Sequence, residues 1–386
     1  MASVHRVKRA AIGGRGRHAW QVRYRDPERR MRSRTFATKA KARSFAATVE
    51  TDKARGEYID PQAGRVTFAE WAGEWMMTTK HLKPKTKEGY QSILRVHLMP
   101  AFGHKALASI RPGDVRRFIS ELSDRGLSPS RLRQVRHLLG MILRDAVENG
   151  AIARTPVVGV KVSGDRRREM QFLSAEQVRA LADATPQRYR TLILLLAYGG
   201  LRWGEAVALR RGRCNLPGGR VEVREAVSET GAGLFYGATK TGEERSVAIP
   251  AFLCDLLAEH LDAVAADDPD ALVFTPDDSD ALVFTPDDPH ALVFTTESGT
   301  PLLNNNFRSR VWRPALMRAG LPAIRIHDLR HSCASMLISQ GANAKAIQTH
   351  LGHSTIAITF DVYSHMLPDD QARLAAGLDA AYRAAQ

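Results

Sequence analysis

In "AWQVRYRD", residues 19–26, apolar and polar positions alternate, the period of a strand with one covered face. "DPERR" reads as a turn and "MRSRTFAT" as a returning strand. "KAKARSFAATVETDKARG" then reads as a helix ended by Gly56. Further on, the period lengthens to that of a helix. Thr67 and Glu70 form a capping box ahead of Phe68, Trp71, Ala72, Trp75 and Met76, whose spacing draws one apolar stripe. Such a stripe is core far more readily than a platform for stacking bases. Further helices are predicted at roughly 85–97, 112–124 and 129–149, the last with Ser128 as N-cap and Pro129 at the first helical position.

"RTPVVGVKVSGDRRREMQF", 154–172, breaks the pattern with proline, glycines and a charge run, and reads as a linker. "LSAEQ" opens a new helix, with Ser174 and Gln177 as its capping box. Beyond it, helices alternate with one short strand region, 220–249, and the chain ends in helices. The expected fold class is multidomain, mainly α with small β-sheets: a sheet-plus-helix part over 1–60, an all-helical part over 65–160 and an α+β part over 172–386.

One tandem repeat interrupts the last part. "DDPDALVFTP", "DDSDALVFTP" and "DDPHALVFTT" follow one another over 267–296. The period is too short for a helical solenoid. One copy is expected to supply an "LVFT" strand and the others to loop out on the surface. A calcium-binding β-repeat is the sharper alternative, but its glycines are missing.

The 386 residues suffice for two or three domains. At 44% hydrophobic and 25% charged the composition is ordinary, but 56 Lys and Arg against 41 Asp and Glu leave +15. Residues 1–60 hold sixteen Lys and Arg against six Asp and Glu, ten of those fifteen charges. A polyanion is the natural partner, since each neutralised phosphate releases a counterion. Arg23, Arg25, Arg32 and Arg34 on the predicted strands, and Arg131, Arg133 and Arg136 on the 129–149 helix, are the candidate DNA contacts. The three cysteines, Cys214, Cys254 and Cys333, form no C-x-x-C, so no zinc ribbon or disulfide framework is expected and a reducing cytoplasm fits. The N-terminus lacks the apolar core of a secretory signal, and "LILLLAY", 192–198, is too short to span a bilayer. No phosphate-binding G-x-x-x-x-G-K-[ST] loop appears. Neither a membrane, nor a metal, nor a cofactor is expected.

The stretch 327–366 concentrates five histidines, an arginine and a tyrosine. His327, Arg330 and His331 fall on one helix face, with Leu329, Cys333, Met336 and Leu337 on another that would be buried. Arginine donates two parallel bonds to a phosphate, and histidine exchanges protons near neutral pH. Two histidines one turn apart could instead bind a metal, but the intervening arginine would repel it. Arg202, in "YGGLRWGEAVALRR", starts a helix after a Gly-Gly break, where free N–H groups favour phosphate; a single arginine there is more often structural. Lys240, in "GATKTGEERSVAIP", sits at a turn between strands, where a lysine is normally solvated but can also reach a ligand's leaving oxygen. His353 lies in "HLGHSTIAIT", where Gly352 can close a helix, and Tyr363 in "FDVYSHM" is a packed aromatic or a nucleophile.

Arg202, Lys240, "HDLRH", "LGHSTIAIT" and "VYSH", in this order and spacing, resemble the tyrosine recombinase (phage integrase) family. The likeness covers about 174–370, and 65–160 resembles the family's helical, SAM-like core-binding domain; 1–60 is a looser match to the domain that binds arm-type sites. The resemblance implies an enzyme that cuts and rejoins DNA through a 3′-phosphotyrosine, without metal or ATP. Arg202 and Arg330 would clamp the scissile phosphate, Tyr363 attack it, Lys240 protonate the leaving 5′-oxygen, and His327 and His353 position the phosphate or handle protons. His331 matches the motif's second histidine with a structural role. It further implies double-stranded DNA with core and arm sites, a homotetramer on that DNA, DNA-bending or directionality accessory proteins, and a place at the bacterial nucleoid. Trp203 after the first arginine and the triplicated decapeptide depart from the family pattern. A DNA-binding regulator that kept the fold, a DNA-relaxing type IB topoisomerase and an RNA-binding protein are the rival readings; the complete set of six residues argues against the first.

Overall fold

A computed structural model describes residues 2–8, 18–26, 29–54, 63–162, 170–239, 242–267, 288–363 and 371–384. Lys240, Gly56 and the first two copies of "ALVFT" lie outside the described residues. The chain divides into two compact units, Met1–Arg167 and Arg168–Gln386.

The first unit opens with an antiparallel sheet, β1 (Ser3–Lys8), β2 (His18–Arg25) and β3 (Met31–Phe36), in the order β1-β2-β3. β1 was not anticipated; Val4 faces Val22 across the ladder and completes the covered face. Helix α1 (Lys39–Ala54) packs on that face, burying Val22 and Tyr24 against Ala42 and Val49. Phe45 sits edge-on to Tyr24 at 5.8 Å and against Phe36 at 5.1 Å.

Register separates the four sheet arginines. Because residues opposite each other share a face, Arg32 (opposite Tyr24) and Arg34 (opposite Val22) belong to the helix side. Arg32 pairs with buried Asp26 at 3.0 Å, and Arg34 lies over the rings of Phe36 and Phe45. Arg23 and Arg25 point from the uncovered face and are exposed.

The helices α2 (Phe68–Thr78), α3 (Pro84–Ile93), α4 (Met99–Phe102), α5 (Pro112–Asp124) and α6 (Pro129–Glu148) follow. A π-helical stretch, Leu94–Leu98, joins α3 to α4 in one run. The capping box forms as read: Glu70 N–H donates to Thr67 Oγ1 at 3.3 Å, and Thr67 N–H to Glu70 Oε2 at 2.9 Å. Phe68, Ala72 and Trp75 are buried with Leu138, Leu139, Ile142 and Leu143 of α6. Each such aliphatic side chain contributes about 2 kcal/mol of transfer free energy. Val157 and Val160 also join this core, so the linker read from 154 onward begins later than composition implied. Arg136 donates to the Val160 carbonyl at 3.1 Å and so ties this segment to α6.

The second unit is built around α8 (Gln187–Tyr198), preceded by α7 (Ala175–Asp183) and followed by the single turn α9 (Trp203–Ala206). Leu192 to Ala197 of α8 are all buried, as expected for a helix at the centre of a core. Two small sheets follow: β4 (Cys214–Asn215), β5 (Arg220–Val223) and β8 (Arg245–Ala248) in the order β4-β5-β8, and the hairpin β6 (Glu225–Thr230) with β7 (Gly233–Ala238). The single strand region read over 220–249 is therefore divided between two sheets. Then come α10 (Ala251–Asp267), α11 (Asn304–Phe307), α12 (Arg313–Arg318), α13 (Asp328–Ser339), α14 (Ala344–Leu351), α15 (Ile356–Tyr363) and α16 (Gln371–Ala384). Trp203 is accommodated against Phe307, ring centroids 4.7 Å apart. Among the described residues no helix is long and apolar enough to cross a membrane.

The third decapeptide is core. Ala291, Leu292, Val293, Phe294 and Thr295 are all buried. The Val293 N–H donates to the Leu209 carbonyl at 2.9 Å, and the Arg211 N–H to the Ala291 carbonyl at 2.8 Å. It makes isolated bridges, Arg210 with Leu292 and Thr295 with Pro301, in place of the expected strand. Buried His260 reaches the Val293 carbonyl at 2.9 Å and lies tilted against the Phe294 ring, centroids 5.0 Å apart. Deleting residues 267–286 leaves this copy and restores Asp-Asp after Ala266. The expected result is an unfolding free energy unchanged or raised by about 1 kcal/mol, because a shorter connection costs less closure entropy. Denaturant melts of the two chains check it; a loss of cooperativity would contradict it.

Candidate active site

Two left-handed glycines set the positions of the two arginines. Gly200 (φ +64°) follows α8, and a Cβ there would lie 2.6 Å from Leu351 and 3.0 Å from the Cys333 sulfur. Only glycine lets this turn press against α13 and α14. The Gly200 carbonyl then accepts from Arg330 Nη1 at 2.6 Å. Gly352 (φ +68°) closes α14 as its sequence promised, and its carbonyl accepts from Arg202 Nη2 at 3.0 Å. Each guanidinium is thus held by a carbonyl from a distant segment.

Arg330 is 2% exposed, and its Nη2 has no hydrogen-bond partner among the described residues. Burial, reinforced by the charge of Arg202, brings its pKa down to about 9. A buried guanidinium with an unused donor is costly unless an anion meets it.

Arg202 caps α9, but its expected role at a phosphate-binding helix N-terminus needs correction. The Arg202 N–H donates to Glu205 Oε2 at 2.9 Å, and α9 is only four residues long. What Arg202 offers is its guanidinium, bonded to Glu205 Oε1 at 2.6 Å. Glu205 is buried and also receives both Nη groups of Arg245, at 3.1 and 2.7 Å. Burial works to raise its pKa, but the Arg245 bonds and the two arginine charges outweigh it and hold the carboxyl at about 2. Neither Glu205 nor Arg245 was singled out from the sequence. Only the three-residue spacing of Arg202 and Glu205, that of a capping box, hinted at the first.

The histidines and the tyrosine gather beside the arginines. His331 Nδ1 lies 2.7 Å from the Tyr363 hydroxyl, and the His327 and His331 rings are 5.0 Å apart. The His353 ring stacks parallel to Tyr363 at 6.4 Å, and its Nδ1 is 2.9 Å from Thr359 Oγ1. Tyr363 is 1% exposed, and burial raises its pKa against the opposing charge of Arg330. His327 keeps an edge open to solvent, yet desolvation by its neighbours and the charges of His331 and Arg330 lower its pKa to about 4. Burial, then Arg330 and Arg202, bring His353 to about 4 as well. Five of the six expected catalytic residues therefore share one site: Arg202, His327, Arg330, His353 and Tyr363. Lys240 lies outside the described residues; next to it, Thr239 Oγ1 donates to the Glu243 carbonyl at 2.9 Å and the Gly242 N–H to Thr239 O at 3.0 Å.

The depressed histidine gives a pH dependence with a definite sign. His353 stays neutral in the folded site down to about pH 4, whereas its ordinary pKa is 6.5. Between those values the unfolded chain binds the extra proton, so stability is full above pH 6.5 and falls as pH drops toward 4. Urea midpoints at pH 7 and pH 5 are expected to differ less in His353→Gln than in the parent chain, and an equal difference would refute the assignment.

Residues 171–369 match the phage integrase family, and residues 67–123 match the phage integrase N-terminal SAM-like domain. The chain belongs to the phage integrase family and is a site-specific recombinase of the tyrosine class. The integrase of Mycobacterium phage D29 is 25% identical over 318 residues, covering 81% of this chain and 78% of that one. The Tn1549 transposon integrase, solved in complex with circular intermediate DNA, has the same fold, with a TM-score of 0.67 at 18% identity over 81% of this chain and 99% of that one. A lambda integrase tetramer bound to a Holliday junction gives 0.58 at 17% identity, over 91% and 93%.

Proposed function

We propose that this recombinase breaks and rejoins duplex DNA through a 3′-phosphotyrosyl link on Tyr363, integrating or excising a mobile element. The observation that carries it is Arg330: buried, with an unpartnered Nη2, beside Arg202 and within the electrostatic reach of Tyr363. A phosphodiester is the anion this pair fits. Its nonbridging oxygens take the free donors of Arg202 and Arg330, which stabilise the charge that grows in the transition state.

The Tyr363 oxygen attacks phosphorus and the bond to the 5′-oxygen breaks. The phenol proton passes to a histidine, His331 being the one in contact with it at 2.7 Å. Lys240 gives its proton to the leaving oxygen. His327 and His353, neutral at physiological pH, hydrogen-bond the phosphate. The covalent link stores the phosphodiester, so the reverse attack by a different 5′-hydroxyl reseals the strand.

Exposed Arg23 and Arg25 suit the uncovered sheet face to arm-type DNA, while Arg131 and Arg133 on α6 suit the core site. Arg136, on the same helix, also donates to the Val160 carbonyl. On α16, Leu378 and Tyr382 are 73% and 67% exposed, an apolar surface that a neighbouring protomer of a DNA-bound tetramer would cover. The test is recombination between two plasmids carrying the DNA that flanks this gene, in EDTA and without ATP. Exchange at one short shared sequence supports the reading; tight binding with no exchange under any supercoiling would overturn it.

A further inference from the structure

We infer that Arg245 is a positioning residue for the arginine pair: by sharing the Glu205 carboxylate, it keeps Arg202 turned toward the phosphate. The inference rests on the reading of Arg202 and Tyr363 just given.

Arg245 is the first residue of β8, five positions after Lys240, and its side chain is 10% exposed. Its two Nη groups hold the two Glu205 oxygens separately, at 3.1 and 2.7 Å. Arg202 supplies one side-chain donor to Oε1 and its main-chain N–H to Oε2. Each carboxylate oxygen therefore has one donor from each arginine. With Arg245 in place the Glu205 side chain is fully buried, so its donors come from the protein.

Without Arg245, Arg202 is the cation left bonded to the carboxylate among the described residues. A carboxylate and a guanidinium alone close into a two-bond fork. That fork would take a second N–H of Arg202 and swing the guanidinium off the phosphate. Arg245 also acts through Gly352. A Cβ on Gly352 would lie 2.8 Å from Arg245 Cδ and 3.0 Å from its Nε, so the arginine stem packs flat on this glycine. The Gly352 carbonyl is the second anchor of Arg202, at 3.0 Å, and His353 is the next residue. Both contacts that orient Arg202 thus depend on Arg245. Its buried Nε has no hydrogen-bond partner among the described residues, a feature that burial for stability alone does not favour.

The test uses the full chain and a plasmid carrying the DNA that flanks this gene. It measures noncovalent binding and, separately, the single-turnover rate of the SDS-stable adduct. Arg245→Ala is expected to bind within about twofold and to form adduct about 100-fold more slowly, the penalty of a misplaced group. Arg245→Lys is expected to restore little, since one ammonium cannot serve both oxygens. Arg245→Ala combined with Glu205→Gln is expected to run about tenfold faster than Arg245→Ala alone, because a neutral amide does not clamp Arg202. A purely structural ion pair would make the double variant no faster than the single one. That result, or a parental rate for Arg245→Ala, overturns the proposal. If Arg245→Ala does not melt cooperatively, Arg245→Lys with and without Glu205→Gln gives the same comparison. Failure of the underlying reading shows earlier: the parent chain makes no Tyr363-dependent adduct, and the role of Arg245 falls with it.

Discussion

Tyr363→Phe is expected to bind DNA as the parent chain does and to form no SDS-stable adduct, a fall of about 10⁴-fold or more in cleavage rate. The substitution removes one oxygen and leaves the packed ring. That ring is enclosed, with its hydroxyl on His331 and its face against His353. Burial raises the phenol's pKa, so the free site holds it protonated at neutral pH. Activation must therefore come from a base in contact with the phenol, His331 at 2.7 Å, which takes the proton as the bond to phosphorus forms. Losing the hydroxyl leaves His331 without its partner, at a cost of about 1 kcal/mol in stability. Thermal melts and filter binding separate that small cost from the catalytic loss. An adduct that survives in Tyr363→Phe would show that another residue attacks.

The second large effect is expected at Arg330, with opposite signs for catalysis and stability. Arg330→Met should lower adduct formation about 10³-fold, as loss of a preorganised donor at the transition state does. The same change should stabilise the DNA-free protein by about 1 kcal/mol. The sign follows from the depressed pKa of about 9: the folded site disfavours the charged guanidinium relative to water. Removing a buried charge that Arg202 repels relieves that penalty. Leaving the Gly200 carbonyl unpaired gives part of it back. Denaturant melts without DNA check the sign; a clear loss of stability would mean that Arg330 holds the fold together and not a site poised for an anion.

Where local chemistry decides, the sequence was readable in detail. The capping residues Thr67, Ser128 and Ser174 mark helices that begin at Phe68, Pro129 and Ala175. Gly352 closes α14 as read, and does so in the left-handed conformation. The residues of the site were legible because "HDLRH" and "LGHST" are local patterns. Long-range pairing was not. Glu205 and Arg245 are forty positions apart, and nothing local says that they meet. The sheet arginines looked alike until register set Arg32 and Arg34 on the helix side and Arg23 and Arg25 on the open one. One of the three "ALVFT" copies was expected to pack as a strand, and it is the third that fills a core slot beside Leu209 and His260, through isolated bridges. Identical segments carry no signal for which of them packs; that depends on where the flanking chain anchors them.

The central claim is a covalent bond between Tyr363 and the 3′ end of a DNA strand. Its most direct measurement is mass spectrometry of the adduct after digestion with nuclease and protease. The account requires a nucleotide attached through its 3′-phosphate to the peptide containing Tyr363, with the free strand ending in a 5′-hydroxyl. A nucleotide on any other residue, or attachment through a 5′-phosphate, would contradict it.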